Sequence, residues 1–178
     1  MKREFSPLRR EIAIADIPRT GLEIEVEANA EERGEIARRF GLLGVEALRG
    51  SYRLSLMARG ARVKGEVTAR VRQTCVVSLD PFEADVREPV ELTFAAEDGS
   101  RPATGRIDIS PDDEDPPEPL RDGKIDLGAM TQEFLALGLD PHPRKPGVEF
   151  VREKTEVDRE ASPFAVLARH RGRGPAKG

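Results

Sequence analysis

The sequence predicts an α+β fold in which a curled, mainly antiparallel β-sheet, with the option of closing toward a barrel, packs with two or three short helices. Three features carry that reading. The stretch "VKGEVTARVRQTC" alternates strictly, with Val63, Gly65, Val67, Ala69, Val71, Gln73 and Cys75 on one side and Lys64, Glu66, Thr68, Arg70 and Arg72 on the other. That period of two is the pattern of a strand covered on one face only. Two other segments change to three-to-four spacing behind a capping residue. A chain that is 38% hydrophobic and 35% charged, with no Trp, builds its core from Leu, Ile, Val, Ala and its seven Phe.

Taken in order, "EIAIADI" puts Ile12 and Ile14 on one face, and after "PRTG" the run "LEIEVEA" puts Leu22, Ile24 and Val26 opposite a row of glutamates. Both read as strands. Asn29, with Glu32 three residues on, forms a capping box for a helix presenting Ile36, Ala37 and Phe40 and ending near Gly41 or Gly44. From Val45 to Phe94 the chain is strand-like almost throughout. Tyr52, Leu54 and Leu56 share a face, "SLDP" turns, and Phe82, Ala84, Val86, Val90, Leu92 and Phe94 resume the alternation, with a bend expected at Glu88-Pro89. Residues 97–124 are rich in acid, proline and glycine and read as an exposed, mobile loop, with room for a short strand at "GRIDIS". Asp126 caps a second helix with Leu127, Met130, Phe134 and Leu137 as its apolar stripe, "DPHPRKPG" is held extended by its prolines, and "VEFV" offers another short strand. Residues 1–150 are thus expected to form one domain. Residues 151–178 read as a short helix behind Ser162-Pro163 and a flexible basic tail.

The formal net charge of -4, from 33 acidic and 29 basic residues, gives no global attraction for phosphate backbones. The start of the chain lacks the apolar run of a signal peptide and no later run is long enough to span a membrane, so the expected location is the cytoplasm, with no membrane and no DNA partner.

Little of the sequence resembles a catalytic or metal centre. Cys75, the one cysteine, falls in phase with buried strand positions, and the histidines, His142 between prolines and His170 near the end, are poor scaffolds for activating it. It reads as a structural residue. One Cys and scattered His lack the close pairing of zinc ligands, and Asp112, Asp113, Glu114 and Asp115 lack the glycine turn of a calcium loop, so no cofactor is expected. Basic residues that could meet a partner or phosphate are Arg144 and Lys145, and Arg169, Arg171 and Arg173 in the tail.

The combination of "QTCVVSLDPF", "VELTF", an acidic loop and "IDLGAMTQEFLALGLDPHPRKPG" resembles the bacterial YceD family, in the form seen in its alphaproteobacterial branch. Many members of that family carry a Cys-x-x-Cys pair where Arg72 and Cys75 stand here, and some a second pair near the proline-rich segment. This chain departs from that pattern at both places, so the resemblance implies no metal. What it implies is a non-enzymatic cytoplasmic factor needed for normal levels of large-subunit ribosomal RNA; with a net charge of -4, the expected partner is a ribosomal protein or a large-subunit precursor ribonucleoprotein. Direct contact with RNA is expected to be weak. An alternative is a small-ligand carrier whose curled sheet encloses a cavity beside Gly65 and Ala69. A third reading, an enzyme, requires His142 within hydrogen-bonding reach of Cys75.

Overall fold

The computed structural model describes residues 6–96, 117–120 and 122–149. The chain divides into two compact units, Met1–Lys145 and Pro146–Gly178, and of the second only residues 146–149 are described.

The centre of the first unit is a five-stranded sheet in the order β2-β3-β4-β5-β6, formed by Leu22–Glu27, Gly44–Met57, Gly60–Thr74, Pro81–Ala96 and Glu118–Leu120. The first four strands pair antiparallel, whereas β6 runs parallel to β5 at Phe94–Ala96. The order leaves β2 and β6 as open edges, so the sheet does not close into a barrel. The long alternation predicts β4 well: Val63, Val67, Ala69, Val71, Gln73 and Cys75 are all buried. Between β3 and β4 the chain reverses at Gly60, where φ is 157° and a Cβ would lie 1.8 Å from the Phe94 carbonyl oxygen, so only glycine fits.

The register of β4 on β5 continues unbroken through the expected bend at Glu88 and Pro89, which stand opposite Val67 and Glu66. Among the described residues β6 covers β5 only at Phe94–Ala96 and nothing pairs with the far side of Pro89, where a residue without an N–H is tolerated. Glu88, the charged intruder on the apolar face, is half-buried where the helix Leu127–Gly138 ends: a Cβ at Gly138 would touch its side chain and that of Val86.

A second, two-stranded sheet joins β1 (Glu11–Ala13) to β7 (Lys124–Asp126). Extended structure in "EIAIADI" stops at Ala13, and Ile14–Asp16 form a 3-10 turn instead of continuing the strand. The partner strand sets that limit. β7 is bounded by the turn at Asp122-Gly123, with φ of 53° and 67°, and by the start of the next helix, so the ladder ends where the Ile14 N–H donates to the Gly123 carbonyl at 3.0 Å. Strands β6 and β7 both fall at the C-terminal end of the segment read as loop; its residues 97–116, including "GRIDIS" and Asp112 to Asp115, lie outside the described residues.

Two helices cover the inner face of the sheet. α1 (Ala30–Phe40) has the expected capping box, with the Asn29 side chain accepting from the N–H of Glu31 and Glu32 and the Glu32 carboxylate accepting from the Asn29 N–H. It ends at Gly41 in the left-handed region, and Ile36 and Ala37 are buried. α2 (Leu127–Gly138) is capped by Asp126, whose Oδ1 accepts from Gly128 and Ala129 and also from the Arg10 backbone beside β1. Its buried stripe corrects the expected one. Leu127, Thr131 and Leu135 face the core with Met130, while Phe134 is half-buried and Leu137 is 69% exposed. The helix, its Asp126 cap and the burial of Leu127 and Met130 are as expected; apolarity alone missed Thr131, which is tolerated inside by its hydroxyl bonds. At the described part of "VEFV", Val148 and Glu149 are not in a strand; the helix expected behind Ser162 lies outside the described residues.

Tyr52 decides the interior of the sheet. Its ring lies over Gly50 and Gly65, where an added Cβ would come within 2.4 Å and 2.9 Å of it respectively. The room that Gly65 leaves is therefore filled by Tyr52, and the cavity expected of a ligand carrier is not formed there.

Candidate interaction site at the Cys75 turn

The end of β4 runs into a tight loop that returns to β5. Its frame is backbone: the Cys75 N–H donates to the Asp80 carbonyl at 2.9 Å and the Leu79 N–H to the Cys75 carbonyl at 2.9 Å. Leu79 closes the loop at φ 63°, a conformation costly for a branched side chain, of order 1–2 kcal/mol. Yet its side chain is 74% exposed, and Val76 is 47% exposed. No packing on the described surface repays that strain, which marks the turn as a place to look for a partner.

The proline-rich segment after α2 comes back to this turn. The Val76 N–H donates to the Pro143 carbonyl at 2.9 Å, and Lys145 Nζ lies 3.5 Å from Asp80 Oδ2. Two stretches far apart in sequence, "CVVSLD" and "PHPRK", thus form one surface at one end of the sheet. Leu43, bonded through its N–H to the Arg72 carbonyl and 49% exposed, lies at the same end.

Within the turn the Cys75 sulfur is shut away from solvent but surrounded by donors. The N–H groups of Val77 and Ser78 point at Sγ from 3.4 Å each. The Ser78 hydroxyl above all, then the N–H groups of Ser78, Lys145 and Val77, pull its pKa down to about 6 against the opposing effect of burial. The donors come from the turn and from Lys145; among the described residues no hydrogen bond joins the His142 ring to the sulfur. His142 is exposed, and its backbone N–H donates to Asp140. Such an arrangement favours the thiolate form of Cys75, and the Val76–Pro143 and Lys145–Asp80 contacts fasten the proline-rich segment to the turn.

The family comparison falls on this surface. Residues 63–169, which include most of β4, the turn, α2 and the proline-rich segment, match the family described as large ribosomal RNA subunit accumulation protein YceD. The chain belongs to that family. No curated protein and no solved structure matches it. The YceD description points to a role in the accumulation of the large ribosomal RNA subunit, and the described YceD residues contain no helix long and apolar enough to cross a membrane.

Of the residues expected to meet a partner, Arg144 is exposed and Lys145 is half-buried and paired with Asp80, while Arg169, Arg171 and Arg173 lie outside the described residues. Among the described residues no group of three or more His, Cys, Asp or Glu is placed to hold a metal ion. Sequence reasoning missed Val76 and Leu79. Their only signal was a pair of apolar residues in a turn otherwise marked by Ser78, Asp80 and Pro81.

Proposed function

We propose that this YceD member is a non-enzymatic cytoplasmic factor that supports large-subunit ribosomal RNA accumulation by docking on a large-subunit precursor ribonucleoprotein. The turn joined to the proline-rich segment is its protein-contacting surface. The observation that carries the reading is the strained, outward Leu79 beside Val76, on a turn inside the family match. Exposed apolar side chains on a rigid frame bind with little ordering cost. Arg144 stands at the rim, where charge influences orientation and encounter more than affinity. The net charge of -4 favours a basic ribosomal protein within that particle as the surface first met.

The test is genetic and biochemical together. Cells lacking the gene should show less large-subunit ribosomal RNA relative to small-subunit RNA, restored by the intact gene. The tagged protein should co-sediment with large-subunit precursors at low salt. Unchanged ribosomal RNA levels in the deleted strain would overturn the reading.

A further inference from the structure

The outer face of the sheet carries a basic stripe between acidic borders. Along β4 the outward positions are Arg62, Lys64, Glu66, Thr68, Arg70 and Arg72, and β3 adds Arg49 and Arg53. Glu23, Glu25 and Glu27 line β2 on one side, and Glu83, Asp85 and Glu91 line β5 on the other. Nearly every cation of the stripe reaches an acid: Arg53 pairs with Glu23, Arg49 with Glu27 at 3.6 Å, Lys64 with Glu91 at 2.8 Å, Arg70 with Asp85 at 2.9 Å and Arg72 with Glu46 at 4.0 Å.

Arg62 is the exception. Among the described residues it makes no ion pair, and its Nε is buried without a hydrogen-bond partner. Glu91 feels its charge but is bonded to Lys64. Pairing places Ser55 on one side of Arg62 and Thr93 on the other. Lys64 follows two positions along, roughly 7 Å away on the same face. Arg62 borders an open groove of about 360 Å³ lined also by Arg53, Ser55, Met57 and Lys64.

We propose that this groove binds a phosphate group of the RNA backbone, with Arg62 as the anchor. Its guanidinium offers several N–H donors in a fixed plane, the geometry that phosphate oxygens accept. Ser55 and Thr93 supply hydroxyl donors to either side, and Lys64 and Arg53 can turn to the phosphate because exposed ion pairs such as theirs are worth only about 0–1 kcal/mol. A carboxylate would be a poorer occupant, since Glu23 and Glu91 already offer two at the rim and leave Arg62 unmatched. The inference rests on the ribonucleoprotein reading above and supplies its RNA contact.

The experiment is fluorescence anisotropy of a short, unstructured, labelled RNA with the full chain across a salt series. Arg62→Gln should weaken binding several-fold and reduce the logarithmic salt slope by about 0.7, the loss of one phosphate contact to a single strand. Arg62→Lys should keep the slope. Arg49→Gln, whose charge is already matched by Glu27, should change both less. Circular dichroism checks that each variant folds.

Equal binding and slope for wild type and Arg62→Gln would overturn the proposal, as would an equal loss in Arg49→Gln. So would binding of a polyglutamate peptide in the groove while RNA is not bound. The same variants expressed in deleted cells separate the two claims. Normal RNA binding by Arg62→Gln removes the phosphate site and leaves the accumulation role intact, whereas normal ribosomal RNA in the deleted strain removes the role whatever Arg62 does.

Discussion

The Tyr52 hydroxyl donates to Thr131 Oγ1 at 2.7 Å, and its direction is fixed because the Thr131 hydroxyl gives its own proton to the Leu127 carbonyl at 2.7 Å. Burial pushes the Tyr52 phenol up to about 12, so it remains a donor across the ordinary pH range. This bond pins α2 to β3 in the middle of the core. Tyr52→Phe should cost about 1 kcal/mol, since Thr131 keeps its bond to Leu127. Thr131→Val should cost more, up to about 3 kcal/mol, because it strands the buried phenol hydroxyl. Urea unfolding of both variants decides it; a smaller loss in Thr131→Val would show that the phenol finds another partner.

The donor nest at Cys75 predicts an ionised thiol. Thiolate absorbance in the far ultraviolet should appear with a midpoint near 6 rather than at the ordinary value of 9.0, and Cys75→Ala should abolish it. Thiol-modifying reagents should nevertheless react slowly, because the sulfur is buried.

The same shift gives a pH dependence with a definite sign. A thiol whose folded pKa lies below its unfolded value contributes stability that is full above the unfolded value and lost as pH falls through the folded one. The stability of wild type relative to Cys75→Ala should therefore rise from about pH 6 toward pH 9. A flat difference across that window, measured by denaturant unfolding, would contradict the hydrogen-bonded thiolate.

Leu79 stands in the left-handed region with its side chain in solvent. Relief of strain should make Leu79→Gly neutral or more stable, by up to about 1 kcal/mol after the entropy of glycine in the unfolded chain is counted. The same change should weaken co-sedimentation with large-subunit precursors. A more stable variant that binds equally well would mean that the side chain contacts nothing.

Much of the sheet was legible because burial on one face writes itself as period two: β4 reads correctly from Val63 to Cys75, and the Asn29 and Asp126 caps are short-range chemistry that needs no tertiary knowledge. The α2 stripe was read in part: Leu127 and Met130 are buried and Phe134 packs against the core as expected, but Thr131 and Leu135, not Leu137, complete the inner face, and the place of Thr131 depends on Tyr52, far away in sequence. The brief β1 was over-extended for a related reason, since its length is set by β7 and not by its own alternation. Cys75 was correctly placed as buried, but its donors come partly from Lys145, a contact that only the fold creates. Arg62 likewise looks like any outward cation in the alternating run, and only the pairing of its neighbours singles it out.

The most direct test of the docking surface is the ratio of large-subunit to small-subunit ribosomal RNA in cells whose only copy of the gene carries Val76→Ser together with Leu79→Ser. Both side chains are exposed, so the variant should fold, accumulate and retain wild-type thermal stability to within about 0.5 kcal/mol. The account predicts that it nevertheless fails to restore the ratio, as the deleted strain does, while Tyr52→Phe, altered only in the core, restores it. Full restoration by the stable double variant would contradict the claim that the Cys75 turn is where this protein meets the precursor particle.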